Sequence, residues 1–456
     1  MPKLEFVSQS SAKADNPELS SEGLTNCYAE MAAPGGRAAY RIIPCVGYGE
    51  TPIADIGKPV RAAISAENII YIVAGGRLYS LTTAGTLTNL AAVPDDQATF
   101  MAFLNGKITV VAAGFRYVWD GTSINLQSDG AFFLTGSCDV LGQRIITSEV
   151  GGQKFDWTGL LDAEDLDALN FASKGEKPDD ILSVRVLDSN IFAFGEKTTE
   201  VFYQVANPGN SSEVFSRIPN AVWERGILRK QLSLSFNDRM MFIGNDRKVY
   251  LVEGTGYREV SNEGLRRAIV QEIPEKLHAY EADGQHFMTV WFRNQKAWTL
   301  CMDTMMWHER STGVENGPWE IIDCVPADDD YFGITTTGKV YKFEDVYADG
   351  AIAMRRLMTS KPLDAQGPKA RIAKIEPFIR QGDVGLDRAA AWAFRYSKDG
   401  GNTWCDWRLR DLGAQGEYGG RSIIRNVGVF RQFIMQIALT DPVPMPVESA
   451  CVVEFN

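Results

Sequence analysis

Ser397, Asp399, Gly401, Thr403 and Trp404 stand at the spacing S-x-D-x-G-x-T-W within SKDGGNTW, the pattern of the Asp-box. The chemistry this brings into question is glycoside hydrolysis, which needs two carboxylates held on opposite sides of a sugar. The dense acidic stretches are DAEDLD at 162–167 and DDD at 328–330. Runs of this kind ordinarily form solvated faces or caps. The box is also a good turn: Asp399 can accept backbone hydrogens, Gly400 and Gly401 tolerate positive φ, and Trp404 is expected to pack beneath and anchor its surroundings.

A sialidase-type site would add arginines converging on a substrate carboxylate and a tyrosine nucleophile, and no spacing marks any three arginines as convergent. Sialidases repeat the box once per blade, whereas here it occurs once. It supports a hairpin strongly and an enzyme weakly. The histidines, His278, His286 and His308, have no H-x-x-x-H or Cys/His ligand spacing, and Cys301 and His308 are the nearest such pair. There is no phosphate-binding G-x-x-x-x-G-K-[ST] and no G-x-S-x-G elbow. GTGYRE at 254–259 lacks the third glycine and the following helix of a dinucleotide fingerprint, and reads as a hairpin turn. No catalytic residue, metal ligand or cofactor is therefore assigned.

The chain that must position these residues has 456 amino acids, 45% hydrophobic and 23% charged, with 42 glycines, 10 tryptophans, 15 tyrosines and 23 phenylalanines. Such usage favours turns and strands over helix. The stretch MPKLEFVSQSSAKADNPELSS has no apolar core of a secretory signal, and runs such as ITVVAAG at 108–114 are too short to span a bilayer. A chain made in the cytoplasm is expected. Seven scattered cysteines with no C-x-x-C pair read as reduced, buried thiols. A net charge of −12 argues against gripping nucleic acid, yet a wall of like charge past which DNA slides would offer phosphate no sticking points.

An apolar strand, a turn rich in Gly, Asn or Lys, and a second strand with an aromatic recur around Tyr79, Tyr117, Phe155, Phe202, Tyr250, Trp298 and Tyr341. Hairpins at this interval, each preceded by another, predict an all-β fold: a β-propeller of six or seven blades with an appended β-sandwich platform domain built from both chain ends. Residues 1–58 are expected to be an extended segment contributing to the platform, 59–349 the propeller and 350–456 the sandwich. NEGLRRAIVQEI at 262–273, with Leu265, Ile269 and Ile273 on one face and Asn262 as cap, reads as a helix, and so does the short acidic DAEDLDALNFA at 162–172. GPKARIAKIEPFIRQ at 367–381 is locally basic and reads as a strand with Ala373, Ile375 and Ile379 inward.

Several stretches in order resemble one family, the tail nozzle or packaged-DNA stabilisation proteins of short-tailed bacteriophages. They are FDWTGLLDAEDLDALNFASKGEKPDDILSV at 155–184, FAFGEKTTEVFYQVANPG at 192–209, VFSRIPNAVWERGILRK at 214–230, MMFIGNDRKVYLVEGTGYREVSNEGLRRAI, and the ending RQFIMQIALTDPVPMPVESACVVEF. An N-x-Y-x-E followed by a Pro/Gly turn precedes them. The Asp-box and the loop lengths depart from the family pattern. The resemblance implies six copies in a ring in the virion tail, beneath adaptor and portal proteins. Double-stranded DNA would be held behind the ring and leave through its centre without sequence-specific binding, and a plug or needle and fibres or spikes would attach to it. It implies structural roles for Trp157, Phe171, Glu176, Pro178 and Asp179 between blades, and for Glu200 and Phe202 in the next blade. The second reading, from the Asp-box, is a propeller-type glycosidase or carbohydrate-binding protein.

Overall fold

Two-residue hairpins repeat because their turns match the twist of the strands they join. In five blades both central residues of the turn after the innermost strand have positive φ, as at Glu67 and Asn68, Asn105 and Gly106, and Asp283 and Gly284. A computed structural model describes residues 3–13, 21–127, 133–206, 208–209, 213–365, 367, 369–384 and 389–455. Residues 14–20 of the Pro/Gly-punctuated N-terminal stretch lie outside the described residues.

Five antiparallel four-stranded sheets follow one another, each running outward in sequence order. Their innermost strands are Val60–Ala66, Phe100–Leu104, Thr135–Leu141, Ile181–Leu187 and Ser233–Phe236. A sixth begins with Lys276–Ala282 and ends with Met306–Arg310, and a seventh consists of Ile321–Ala327, Asp330–Thr335 and Lys339–Glu344. Each inner strand lies against the next, and Ile321–Ala327 returns to Val60–Ala66. The propeller therefore has seven blades and a closed ring, which leaves the sheets without long open inner edges.

The seventh blade takes its outer strand from the other end of the chain. Ala54–Asp55 pairs with Val340 and Lys339, and Gly47–Tyr48 pairs with Glu344 and Phe343. Tyr48 is fully buried, its hydroxyl 2.6 Å from Glu320 and its ring 4.5 Å from that of Tyr341.

The remaining strands form a sandwich. One sheet runs Cys27–Met31, Tyr40–Pro44, Val447–Phe455, Ala370–Ile379, Ile424–Phe430, with Lys3–Glu5 along Val447–Phe455. The other runs Gly23–Thr25, Arg356–Thr359, Gln432–Leu439, Ala391–Ser397, Arg408–Asp411. Between them lies a core that includes Trp392, Phe394, Phe433 and Ile375. Gly23–Thr25 also bridges to Glu309 in the outermost strand of the sixth blade, so one continuous sheet joins propeller and sandwich.

The helix Glu263–Gln271 forms where its periodicity places it, with Asn262 Oδ1 accepting from the Leu265 amide at 2.9 Å and Leu265 and Ile269 fully buried. The second helical expectation is corrected. Leu166–Ser173 is the outer strand of the third blade, where pairing with Lys154–Thr158 outweighs its weak helical pattern. Within Ala370–Ile379 the register shifts between Ile372 and Lys374, so Ile372 faces the core and Ala373 does not. All seven cysteines are free, and all but Cys405 are buried. No helix among the described residues is long and apolar enough to cross a membrane.

Candidate functional site

The seam between the third and fourth blades gathers most of the residues expected there. Trp157 is fully buried and meets Phe215 edge to face at 5.0 Å. Its neighbour Phe155 meets Phe202 the same way at 4.9 Å. Each ring pair spans two blades and adds about 0.5–1.5 kcal/mol beyond the area it buries.

Two carboxylates tie the connecting loop to the fourth blade in opposite senses. Glu200, fully buried on the blade, accepts from the loop amides of Gly175, Glu176 and Lys177 at 3.3, 3.0 and 3.3 Å. Asp179, on the loop, accepts from the blade amides of Lys197 and Thr198 at 3.0 and 2.8 Å and from the Lys174 ammonium at 2.7 Å. Burial pushes the Asp179 carboxyl up, but Lys174 and those amides outweigh it and hold it below the usual carboxylate range. The pair presses against Gly195, where a Cβ would stand 2.3 Å from Asp179 Oδ2 and 2.4 Å from Lys174 Nζ. Arg217 lies 3.0 Å from Glu176 and 3.4 Å from Glu200. Two residues stand apart from this seam. Phe171 is exposed on the outer strand beneath the Lys154 ammonium at 4.6 Å, and Pro178 is exposed. The sequence carries no sign of Lys174 or Arg217 beyond the five-residue spacing of Lys174 from Asp179.

In the Asp-box turn, the Ser397 hydroxyl donates to Asp399 Oδ1 at 2.7 Å and accepts from the Gly401 amide at 2.8 Å. Asp399 accepts from the Thr403 amide at 2.9 Å and from its hydroxyl at 2.6 Å. Burial raises the Asp399 carboxyl, and the Thr403 and Ser397 bonds more than reverse this. Both its oxygens are committed within the turn. Gly400 and Gly401 have φ of 71° and 93°. Trp404 corrects the expectation made of it. It is half-buried, donates to the Gly401 carbonyl at 3.0 Å, and lies 4.8 Å under the Arg395 guanidinium outside the sandwich core. Thr403 beside it is exposed, and Trp404 lines a surface cleft with Lys296, Leu357 and Ile434 instead of joining the core between the sheets.

His278 and His308 are buried, and His278 makes a 3.0 Å bond through Nδ1 to the Ile322 carbonyl. His286 is half-exposed beside Asp303. A cleft of about 750 Å³ opens on the face of the inner hairpin turns, lined by Glu67, Asp283, Asp328, Asp329, Glu344 and Asp345 among others. Around the opposite mouth of the ring a smaller space of about 260 Å³ carries Arg61, Arg185, Lys276 and Arg293, each paired with a carboxylate, together with Arg229, which forms no ion pair among the described residues. Such surfaces repel or balance charge. Neither presents an acid–base pair across a closed pocket, and among the described residues no three His, Cys, Asp or Glu side chains group as metal ligands.

Known protein families match almost end to end. Residues 13–344 match the family described as "Bacteriophage P22 Gp10, beta-propeller" and residues 355–453 that described as "Bacteriophage P22 Gp10, beta-sandwich". No curated protein matches the chain. Among solved structures, the computationally designed Ika8 protein aligns at 13% identity over 74% of this chain and 99% of its own, with a TM-score of 0.40. YCF48 bound to D1 peptide aligns at 10% over 63% and 92% (TM-score 0.39). BBS1N in complex with ARL6DN aligns at 9% over 65% and 95% (TM-score 0.42).

Proposed function

The chain belongs to the family of bacteriophage P22 Gp10, structural tail nozzle proteins of short-tailed phages, and we propose that six copies form a ring prolonging the DNA exit channel. In this reading the protein is made in the host cytoplasm and incorporated into the virion tail beneath the adaptor and portal proteins. The ring retains packaged DNA and anchors a plug or needle and fibres or spikes.

The observation that carries this reading is the continuous sheet through Gly23–Thr25, which makes propeller and platform one mechanical unit. A part that bears the load of packaged DNA needs such a joint. Charge supports it too. Residues 47–349 hold 27 Lys and Arg against 42 Asp and Glu, a net of −15, while residues 1–46 and 350–456, which supply the sandwich, together hold 19 against 16, a net of +3. An acidic propeller beside an exit path repels phosphate and gives it little to adhere to. Electron microscopy of the purified protein with its tail adaptor tests the proposal. Rings of defined copy number are expected, and a protein that stays monomeric with every tail partner would overturn it.

A further inference from the structure

The N-x-Y-x-E pattern, NCYAE at 26–30, lies where propeller and platform meet. On the platform side the preceding strand Gly23–Thr25 pairs with three residues, Leu357, Met358 and Thr359. On the propeller side it holds the sixth blade by a single bridge, Thr25 to Glu309. One bridge joins two sheets without fixing the angle between them. The apolar cores on either side are separate clusters, one around Trp392 and Phe433 and the other around Tyr280 and Trp319. Bodies without a large shared core move against each other unless something directional holds them.

Asn26 follows that bridge directly. It is fully buried and has φ of 55°, a left-handed conformation that Asn adopts more readily than most residues. Its Nδ2 donates to Ser311 Oγ at 3.1 Å and to the Arg355 carbonyl at 3.0 Å, and its Oδ1 accepts from the Ser311 amide at 3.0 Å. Ser311 opens the connector from the sixth blade to the seventh, and Arg355 precedes the platform strand Arg356–Thr359. One side-chain amide therefore grips both bodies, with both its hydrogens committed. Asn316, farther along the connector and also left-handed at 53°, donates from Nδ2 to the same two acceptors, each at 3.0 Å. Tyr28 adds apolar area, buried and edge to face with Phe287 of the sixth blade at 5.1 Å. A ring contact tolerates rotation, whereas hydrogen bonds weaken steeply with misalignment.

We propose that Asn26 and Asn316 are positioning residues whose paired amides set the angle between platform and propeller, and with it the closure of the ring. Every copy in a ring repeats the same angle, so a small error at the joint accumulates from copy to copy and leaves an open arc or another copy number. Closure rests on the ring reading; the angle belongs to the single chain. Ser10 and Ser11 bonded to Trp307, and Gly47–Tyr48 paired in the seventh blade, keep the two bodies attached when the amides are removed. Their loss therefore shows as a change of angle and not as unfolding.

The test is made in the full chain. Asn26→Gly with Asn316→Gly removes both amides and leaves residues at ease with positive φ. Spin labels introduced through Leu169→Cys on the third blade and Leu409→Cys on the platform, with Cys405→Ser, report the distance between the bodies, since the other cysteines are buried. With both asparagines present one narrow distance is expected. In the double glycine variant the distribution should be about twice as wide, with circular dichroism unchanged. Asn26→Asp keeps the acceptor for the Ser311 amide and loses both donors; it should widen the distribution as well, and it decides the matter if the glycine variant does not fold. With the adaptor, electron microscopy should show closed rings of the unsubstituted protein and arcs or mixed copy numbers of the variants. Distances that stay narrow in the variants would overturn the joint. Widened distances in rings of the original copy number would overturn its part in closure. Were the unsubstituted protein never to form rings, the ring reading would fall, and the distance widths would still decide the joint.

Discussion

The ammonium of Lys174 lies 2.7 Å from the carboxylate of Asp179, and the two side chains are 0 and 6% exposed. Charges taken so far out of water are tolerated only when their remaining valences are met. Asp179 also receives two amides and a hydroxyl from Lys197 and Thr198, and Lys174 donates as well to the Asp179 carbonyl at 3.1 Å. The pair therefore locks the loop between the third and fourth blades to a turn of the fourth.

Removing the acid should hurt more than removing the base. Asp179→Ala strands a buried ammonium and frees three donors, and is expected to cost about 3–5 kcal/mol. Lys174→Met leaves Asp179 with those donors and should cost less, about 1–3 kcal/mol. Urea unfolding at pH 7 gives both values. The opposite order would show that the lysine, not the carboxylate, organises the loop.

Closure of the ring depends on a backbone approach that only glycine permits. A Cβ on Gly47 would stand 2.0 Å from the Ala348 carbonyl oxygen and 2.8 Å from that of Val346. Gly47→Ala should push the N-terminal strand off the seventh blade at a cost of about 1–3 kcal/mol. Hydrogen exchange at Val340 and Phe343 should accelerate with it. Gly419→Ala, in open space and without a positive φ, should leave those amides protected; equal exchange in the two variants would mean that the N-terminal strand does not hold the blade.

The propeller was legible because its signal is local. An aromatic soon after a turn rich in Gly, Asn or Lys recurs around Tyr79, Tyr117 and Tyr250, and a hairpin needs nothing distant to form. The helix at Asn262 was legible for the same reason. What escaped depends on residues far apart in sequence. Gly47–Tyr48 and Ala54–Asp55 are two-residue strands whose partners lie almost 300 positions away, too short for any periodicity. Leu166–Ser173 follows an acidic run and opens on an Asp-Ala-Leu stretch that reads as helix until its partner Lys154–Thr158 is known. Of the seam, Glu200 and Asp179 could be named, but their reciprocal geometry and the role of Lys174 arise only once the blades pack.

The Asp-box should matter to stability and not to DNA. Asp399→Ala removes the two acceptors that hold the Thr403 amide and hydroxyl, in a turn that is partly solvated, for an expected loss of about 1–2 kcal/mol. Particles assembled with this variant should retain their DNA at permissive temperature. Loss of DNA from fully assembled particles would assign the turn a further role.

Stability should depend on pH through two buried imidazoles and one carboxyl that oppose each other. Burial holds His278 down at about 3 and His308 well below its ordinary value of 6.5, with Lys276 and Arg310 adding to the effect. Above pH 6.5 these rings are neutral folded and unfolded, and contribute no slope. Below it the unfolded chain takes up protons that the folded chain refuses, so stability falls by about 1.4 kcal/mol per pH unit for each ring. Asp349 runs the other way. Burial lifts its carboxyl from 3.8 to about 6, so the folded chain binds the proton first and stability rises as pH drops from 6 towards 3.8. Between pH 6 and 4 the three groups should leave a net loss of about 1.4 kcal/mol per unit. Asp349→Asn should steepen the loss to about twice that, and His308→Gln should nearly abolish it. Urea midpoints measured from pH 7.5 to 4.5 report the slopes, and background from exposed carboxylates cancels between variants. Three identical slopes would show that these buried groups titrate as they do in water.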